Sequence, residues 1–156
     1  MIEGVMVRTL NQIHDERGYL MEILRNDDPE FKNNFGQVYV SAVYRGVIKA
    51  WHLHHAQTDR VCCISGRIRL GMVDVRSNSS TKGNTEDMVI GDGNPKIITI
   101  PYGILHGWKG LTDTALVINV PDKPYCYENP DEDRVRKDVT RLSGLDINFD
   151  WSLRHG

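Results

Sequence analysis

The chain reads G-V-I-K-A-W-H-L-H-H-A-Q-T-D-R-V-C-C-I-S-G from Gly46 to Gly66. Three of the chain's six histidines lie in this stretch, within the four residues 52–55. On a β-strand, side chains alternate between faces, so His52 and His54 would project from the same face. Gly46 precedes His52 by six residues, Asp59 follows His54 by five, and Gly66 follows Asp59 by seven. Two imidazoles and an acid at fixed spacing indicate a chemical site rather than a packing motif.

This spacing resembles the first motif of the cupin superfamily, in which Asp59 takes the place of a glutamate. A second cupin motif is partly present in P-Y-G-I-L-H at residues 101–106, although its closing Asn is replaced by Gly110. The resemblance implies an all-β fold, the cupin or jelly-roll double-stranded β-barrel, with the site inside the barrel. The positions that correspond to the four ligands of a metal cupin are His52, His54, Asp59 and His106.

Composition sets the broad class of the protein. With 156 residues, 40% hydrophobic residues and a net charge of -2, we expect a single cupin domain over residues 1–156 that buries a real core. The weak net charge argues against a nucleic-acid partner. We expect no membrane partner, since no apolar run could span a bilayer and no signal peptide is recognisable. Three cysteines, two of them adjacent, do not make a disulfide framework, and we expect a cytoplasmic protein.

Periodicity supports the all-β assignment. Eight to ten short strands are separated by turn signals, including a hairpin between residues 60–64 and 67–75. One short helix is expected over residues 26–34, where Pro29 stands early. The tail after residue 121 should pack across the barrel because Phe149 and Trp151 favour burial.

Further segments carry a closer resemblance. These are residues 15–18 with Glu22, residues 46–49 leading to His52, Ala56 and Gln57, residues 100–103 with 106–108, and Tyr127 with Pro130 and Glu132. Together they resemble one cupin branch, the dTDP-4-dehydrorhamnose 3,5-epimerase family. The central His-X-His motif also resembles the dTDP-4-keto-6-deoxyglucose 3,4-ketoisomerases.

The resemblance implies a nucleotide-sugar epimerase or ketoisomerase of deoxysugar or polysaccharide biosynthesis. Its substrate would be a dTDP-linked, or other nucleotide-linked, 4-keto-6-deoxy sugar. His52 matches the base that removes a proton next to the keto group, and neutral imidazole has suitable basicity at pH 7. The residues expected to act in catalysis are His52, His54 and Asp59. The residues expected to bind substrate are Arg17, Glu22, Lys49, Gln57, His106, Asn119 and Tyr127.

The sequence also departs from the epimerase pattern. Asp59 stands where the epimerases have a lysine that stabilises the enolate. Asn119 stands where they have a tyrosine that serves as the catalytic acid. The aspartate that partners the base lies in a C-terminal segment without a clear counterpart here. Lys49 would point away from His52 on a regular strand, so both can serve one site only if the strand bulges near Ala50.

Two other functions stay open at this point. A metal-dependent cupin, either a dioxygenase or an isomerase, would use His52, His54, Asp59 and His106 as ligands. A non-catalytic cupin would bind a sugar nucleotide without turnover. The family resemblance favours metal-free chemistry, with no cofactor. It further implies a homodimer with strand exchange, in which the strand after Arg17 contributes to the neighbour's site.

Overall fold

The computed structural model describes residues 1–31 and 34–152. Within these residues all regular structure is β-strand. The strands are β1 (Met6–Thr9), β2 (Gln12–Asp15), β3 (Gly18–Met21), β4 (Tyr39–Tyr44), β5 (Ile48–Leu53), β6 (Asp59–Ser65), β7 (Arg67–Asp74), β8 (Thr85–Gly91), β9 (Lys96–Ile100), β10 (Ile104–Gly110), β11 (Thr114–Asn119), β12 (Asp133–Arg134), β13 (Arg141–Leu142) and β14 (Leu145–Asp146). The described residues contain no helix that could cross a membrane.

Two five-stranded antiparallel sheets form the body of the molecule. The first has the strand order β1-β9-β6-β11-β4 and the second has the order β12-β5-β10-β7-β8. Their facing side chains share one apolar core, to which Val61 and Ile98 contribute from the first sheet and Leu70 and Trp108 from the second. Two small hairpins, β2–β3 and β13–β14, lie outside these sheets.

The prediction of a helix over residues 26–34 is wrong for the part of that segment that the structure describes. Lys32 and Asn33 lie outside the described residues. The chain forms successive short turns instead, with the N–H of Phe31 donating to the carbonyl of Asp28 at 3.0 Å. The carboxylates of Asp28 and Glu30 both bind Arg8 on β1. These ion pairs tie the segment to the sheet and favour an irregular path over helical hydrogen bonds.

The C-terminal tail packs across the barrel, as predicted. The ring of Phe149 meets that of Trp51 edge-on at a centroid distance of 5.0 Å, and the ring of Trp151 lies 4.8 Å from Trp51. Arg69 donates to the backbone carbonyls of Asp150 and Ser152 at 2.7 and 2.6 Å. The tail therefore supports β5 from behind, on the side opposite to the histidines.

A β-bulge sets the orientation of β5. His52 pairs with His106 and Lys49 pairs with Trp108, so three steps along β5 match only two along β10. One extra residue in β5 reverses the alternation of faces; the peptide bond between Ala50 and Trp51 in this stretch is cis. Lys49 and His52 consequently line the same pocket. The strand therefore has the bulge near Ala50 that the sequence analysis required for both side chains to serve one site.

Candidate active site

A pocket of about 610 Å³ opens between the two sheets. His52 and Lys49 line it from β5, Tyr39 lines it from β4 of the other sheet, and Glu132 closes it from the tail. The wall thus combines an imidazole, a carboxylate, an ammonium group and a phenol, which are groups that proton-transfer chemistry uses.

His52 and Glu132 form the central pair of this pocket. The Nδ1 atom of His52 is hydrogen-bonded to the Glu132 carboxylate, whose other oxygen accepts from Nε of Arg134 at 3.0 Å. The hydrogen bond from His52, followed by that from Arg134, outweighs burial and lowers the pKa of Glu132 to about 2. An ionised Glu132 accepts the hydrogen carried by Nδ1, and in the neutral ring this leaves the lone pair on Nε2 of His52.

Backbone contacts explain how Glu132 reaches His52. Strand β12 pairs with β5, with Arg134 opposite His52. One residue before Glu132, the Asp131 carboxylate accepts hydrogen bonds from the N–H groups of Ala56 and Gln57 at 3.0 and 2.8 Å. The tail is therefore fixed on both sides of Glu132, and the ring of His52 is also stacked on Trp108 at 6.0 Å.

A second cluster lies behind the pocket wall. Oδ2 of Asp59 is 3.3 Å from Nε2 of His54 and 3.0 Å from Nε2 of His106. Each imidazole donates its Nδ1–H to a backbone carbonyl, that of Asp131 for His54 and that of Ile104 for His106. These contacts fix both rings, and the side-chain amide of Gln57 donates to the remaining Asp59 oxygen at 2.8 Å.

The charges of this cluster follow from its burial and its contacts. Burial alone would lower the pKa of His54, but the hydrogen bond and charge of Asp59 outweigh it and raise that pKa to about 9. Burial alone would raise the pKa of Asp59, yet the hydrogen bonds from His106 and His54 hold it well below its usual range. Because Asp59 is 2% exposed and His54 lines the pocket, the pocket meets the cation rather than the anion.

Three of these side chains could also hold a metal ion. Nitrogen or oxygen atoms of His54, Asp59 and His106 lie within 4.8 Å of one another. With both Nδ1 atoms committed to carbonyls, the Nε2 atoms could act as ligands, and two histidines with one carboxylate suit a divalent transition metal. His52, the fourth residue of the metal-cupin set, is not part of this cluster, because it is bound to Glu132.

The rim of the pocket carries cationic and aromatic groups. Nζ of Lys49 donates to Oγ of Ser41 at 2.8 Å, and Arg134 is also on the lining. The rings of Tyr125 and Tyr127 meet edge-on at 5.0 Å, with Tyr127 89% exposed. Cations bind phosphate oxygens and exposed aromatic rings stack on bases, so the rim suits a nucleoside diphosphate.

Asn119 does not line the pocket itself but is hydrogen-bonded to Tyr39, which does. It lies directly opposite Tyr39 in the pairing of β11 with β4, and its Nδ2 donates to the Tyr39 hydroxyl at 2.9 Å. Its Oδ1 accepts the backbone N–H of Arg60 at 3.0 Å. Asn119 is 1% exposed, whereas Tyr39 lines the pocket.

The structure brings most of the sequence-predicted residues together, in two layers. Those on the pocket lining are His52, His54, Lys49, Gln57 and Tyr127. Those buried directly behind it are Asp59, His106 and Asn119.

Arg17 and Glu22 are not on this pocket within a single chain. Arg17 is paired with Asp15 and has an 82% exposed side chain. Glu22 is paired with Arg25 at 3.1 Å. Both belong to the region around the β2–β3 hairpin, which forms a two-stranded sheet of its own.

The sequence analysis gave no site role to Tyr39, Tyr125, Glu132 or Arg134, all of which line the pocket. Glu132 was part of the family resemblance only. The signal for Glu132 is its place two residues before Arg134, which pairs with His52. The signal for Tyr39 is its pairing with Asn119. Both depend on strand register, which the sequence alone does not fix.

Comparison with known proteins places the chain among sugar epimerases. The family model described as dTDP-4-dehydrorhamnose 3,5-epimerase matches residues 1–153. The chain is 40% identical over 158 residues to the probable low-salt glycan biosynthesis epimerase of Haloferax volcanii, covering 99% of this chain and 98% of that protein. It is 37% identical over 153 residues to a spore coat polysaccharide biosynthesis protein of Bacillus subtilis, covering 97% of each.

Solved structures agree with these relatives. A dTDP sugar isomerase from Desulfovibrio desulfuricans superposes with a TM-score of 0.83 at 30% identity, covering 88% of this chain and 87% of that chain. A 4-keto-6-deoxy sugar epimerase from the novobiocin biosynthetic gene cluster of Streptomyces spheroides gives 0.80 at 25% identity, covering 94% and 78%. The all-β cupin or jelly-roll fold predicted from the sequence is confirmed.

Proposed function

Because this chain belongs to the dTDP-4-dehydrorhamnose 3,5-epimerase family, we propose that it epimerises a dTDP-linked 4-keto-6-deoxy sugar by abstracting a proton beside the keto group. The observation that carries the proposal is the His52–Glu132 pair in the wall of the pocket. The relatives from Haloferax volcanii and Bacillus subtilis are named for glycan and polysaccharide biosynthesis, and we assign this chain to the same kind of pathway.

His52 is the base. A C–H bond next to a ketone is weakly acidic because the electron pair can move onto the carbonyl oxygen. Nε2 of His52 takes the proton, and the ring becomes an imidazolium held by Glu132 through Nδ1–H. The carboxylate fixes the tautomer and stabilises the charge that develops on the ring.

His54 stabilises the enolate. The oxygen gains negative charge in the transition state, and a cation fixed in the pocket wall lowers the energy of that state. Asp59 and His106 lie behind His54 and hold its ring in place. The anion at position 59 is therefore compatible with catalysis, because it acts through His54.

The rim binds the nucleotide portion. Lys49 and Arg134 supply positive charge to the diphosphate, and Tyr125 and Tyr127 supply a surface for the base. Lysine provides charge without the bidentate geometry of arginine, and Arg134 adds a guanidinium on the same lining.

A homodimer would complete the site. The β2–β3 hairpin exposes Ile13 at 65% and Leu20 at 60%, and β4 is an edge strand of its sheet. Exposed apolar side chains and an open strand edge favour pairing with a second copy. In this arrangement Arg17 and Glu22 contribute to the neighbour's pocket. We place the whole chain, residues 1–156, in one cupin domain that works in the cytoplasm as a dimer.

The direct test is to identify the product from dTDP-4-keto-6-deoxyglucose. NMR in heavy water reports the configuration of each ring carbon and the deuterium it has taken up. We expect an epimer with deuterium on a carbon adjacent to the keto group. A product whose carbonyl has moved to C3 would replace epimerisation by keto migration, and a substrate left unchanged and unlabelled would overturn catalysis on this sugar.

A further inference from the structure

Inversion at carbon needs a second proton-transfer group besides the base. The base that removed the proton lies on one side of the sugar ring and can only return the proton to that same side. The new proton must come from a donor on the opposite side. That donor needs an O–H or N–H group in the pocket, on the wall that faces His52.

We propose that Tyr39 is this proton donor and that Asn119 positions it. The inference rests on the proposed function, since it assigns the second half of the same reaction. Tyr39 lies on β4 in the first sheet and His52 on β5 in the second, so the two line one pocket from opposing walls.

The contacts of Asn119 leave the phenolic hydrogen free to be given away. The backbone N–H of Arg60 donates to Oδ1 of Asn119 at 3.0 Å, which turns the Nδ2 group towards Tyr39. Nδ2 then donates to the Tyr39 oxygen at 2.9 Å. The phenol is an acceptor in this contact, so its own O–H is directed elsewhere, and the same amide stabilises the phenolate once the proton has left.

The other hydroxyl and amine donors of the lining are less suitable. Lys49 lies on β5, the strand that carries His52, and its Nζ donates to Ser41 at 2.8 Å. Tyr125 and Tyr127 pack against each other at the rim, where Tyr127 is 89% exposed. Although Tyr39 as a whole is 40% exposed, partial burial and then the charge of Asp59 raise its pKa to about 12. It therefore keeps its proton at neutral pH until the enolate forms.

The proposed step is balanced. A C–H bond breaks as Nε2 of His52 takes the proton and the electron pair moves onto the keto oxygen. The enolate carbon then forms a new C–H bond on its other face with the proton of Tyr39, and the keto group is restored. Tyr39 regains a proton from solvent and His52 releases one, so the protein returns to its starting state.

The test separates proton removal from proton delivery. In heavy water, Tyr39→Phe should still exchange deuterium into recovered dTDP-4-keto-6-deoxyglucose, because His52 removes and returns a hydron on one face. It should form the epimer roughly 10²- to 10⁴-fold more slowly, the usual range for loss of a general acid. Asn119→Ala should shift the ratio of inversion to exchange in the same direction.

Tyr44→Phe is the matched control, because Tyr44 is on the same strand with a 64% exposed side chain and is not on the pocket lining. It should keep both exchange and inversion. Epimer formation by Tyr39→Phe at the wild-type rate would overturn the inference, as would loss of exchange together with inversion in a variant that still binds dTDP. Absence of both reactions in the wild-type protein would instead contradict the proposed function.

Discussion

Nδ1 of His52 is hydrogen-bonded to a carboxylate oxygen of Glu132, which lies 80 residues later in the chain. The contact exists because β12 adds to the edge of the sheet next to β5. It gives the base a fixed tautomer and a counter-charge, which are the two properties that a catalytic imidazole needs.

Glu132→Gln should lower kcat roughly 10²- to 10⁴-fold, because the amide cannot stabilise the imidazolium. KM should change far less, since Glu132 orients His52 rather than the nucleotide. Steady-state kinetics with the dTDP-linked keto sugar measure both values. Asp133→Asn is the control, because the neighbouring Asp133 pairs with the exposed His55. An unchanged kcat in Glu132→Gln would remove the pair from the mechanism.

We expect His54 to give the activity an alkaline limit. Its pKa is raised from 6.5 to about 9, so the imidazolium is present below that pH and is lost as the pH rises through about 9. The ion pair of His54 with Asp59 contributes to the free energy of unfolding. That contribution is fully present below about pH 6.5 and is lost as the pH rises through about 9. We expect kcat/KM to fall near pH 9 in the wild-type protein.

Asp59→Asn tests the cause of this limit. Without the carboxylate the pKa of His54 is no longer raised by Asp59, so the alkaline fall in kcat/KM should move to lower pH. The pH–rate profile is measured together with the melting temperature, so that loss of folded protein is not mistaken for loss of charge. An alkaline limit at the same pH in the variant would contradict the role given to His54.

Arg17 should act across the proposed dimer. Arg17→Ala and His52→Ala homodimers should each be weakly active. When the two chains are unfolded and refolded together, roughly a quarter of wild-type activity should return, because half the dimers are mixed and one site in each is intact. Absence of recovery in a mixture shown to contain heterodimers would place Arg17 outside the neighbour's site.

Metal removal separates the sugar mechanism from the metal-cupin alternative. We expect full activity after treatment with a chelator and no stoichiometric Fe, Mn, Ni or Zn by elemental analysis. The proposed chemistry uses the protein's own side chains alone. Stoichiometric metal that is lost in His54→Ala together with the activity would assign His54, Asp59 and His106 to a metal centre instead.

The sequence predicted the barrel and singled out His52, because both depend on local pattern. Residue spacing around His52 and short alternating strands are visible without a structure. The partners of the base are not, since Glu132 reaches His52 only through the register of β12 on β5. The role of Asp59 was likewise hidden: its spacing identifies it, but only the fold places it behind His54, where it raises the pKa of that residue.

The positions of other residues depend on three-dimensional geometry that cannot be derived from the sequence alone. Lys49 shares the pocket with His52 because the strand between them is bulged. Arg17 lies away from the pocket in one chain, so the role proposed for it requires a second copy. The prediction of a short helix at residues 26–34 was wrong because Asp28 and Glu30 bind Arg8, and the described part of the segment forms turns instead.

The central claim is that His52 removes the proton beside the keto group. The most direct measurement is deuterium uptake from heavy water into dTDP-4-keto-6-deoxyglucose, followed by NMR for wild-type protein, His52→Ala and His55→Ala. Exchange should fall roughly 10²- to 10⁴-fold in His52→Ala and persist in His55→Ala, whose side chain is 61% exposed and bound to Asp133. Exchange at the wild-type rate in His52→Ala would contradict the account.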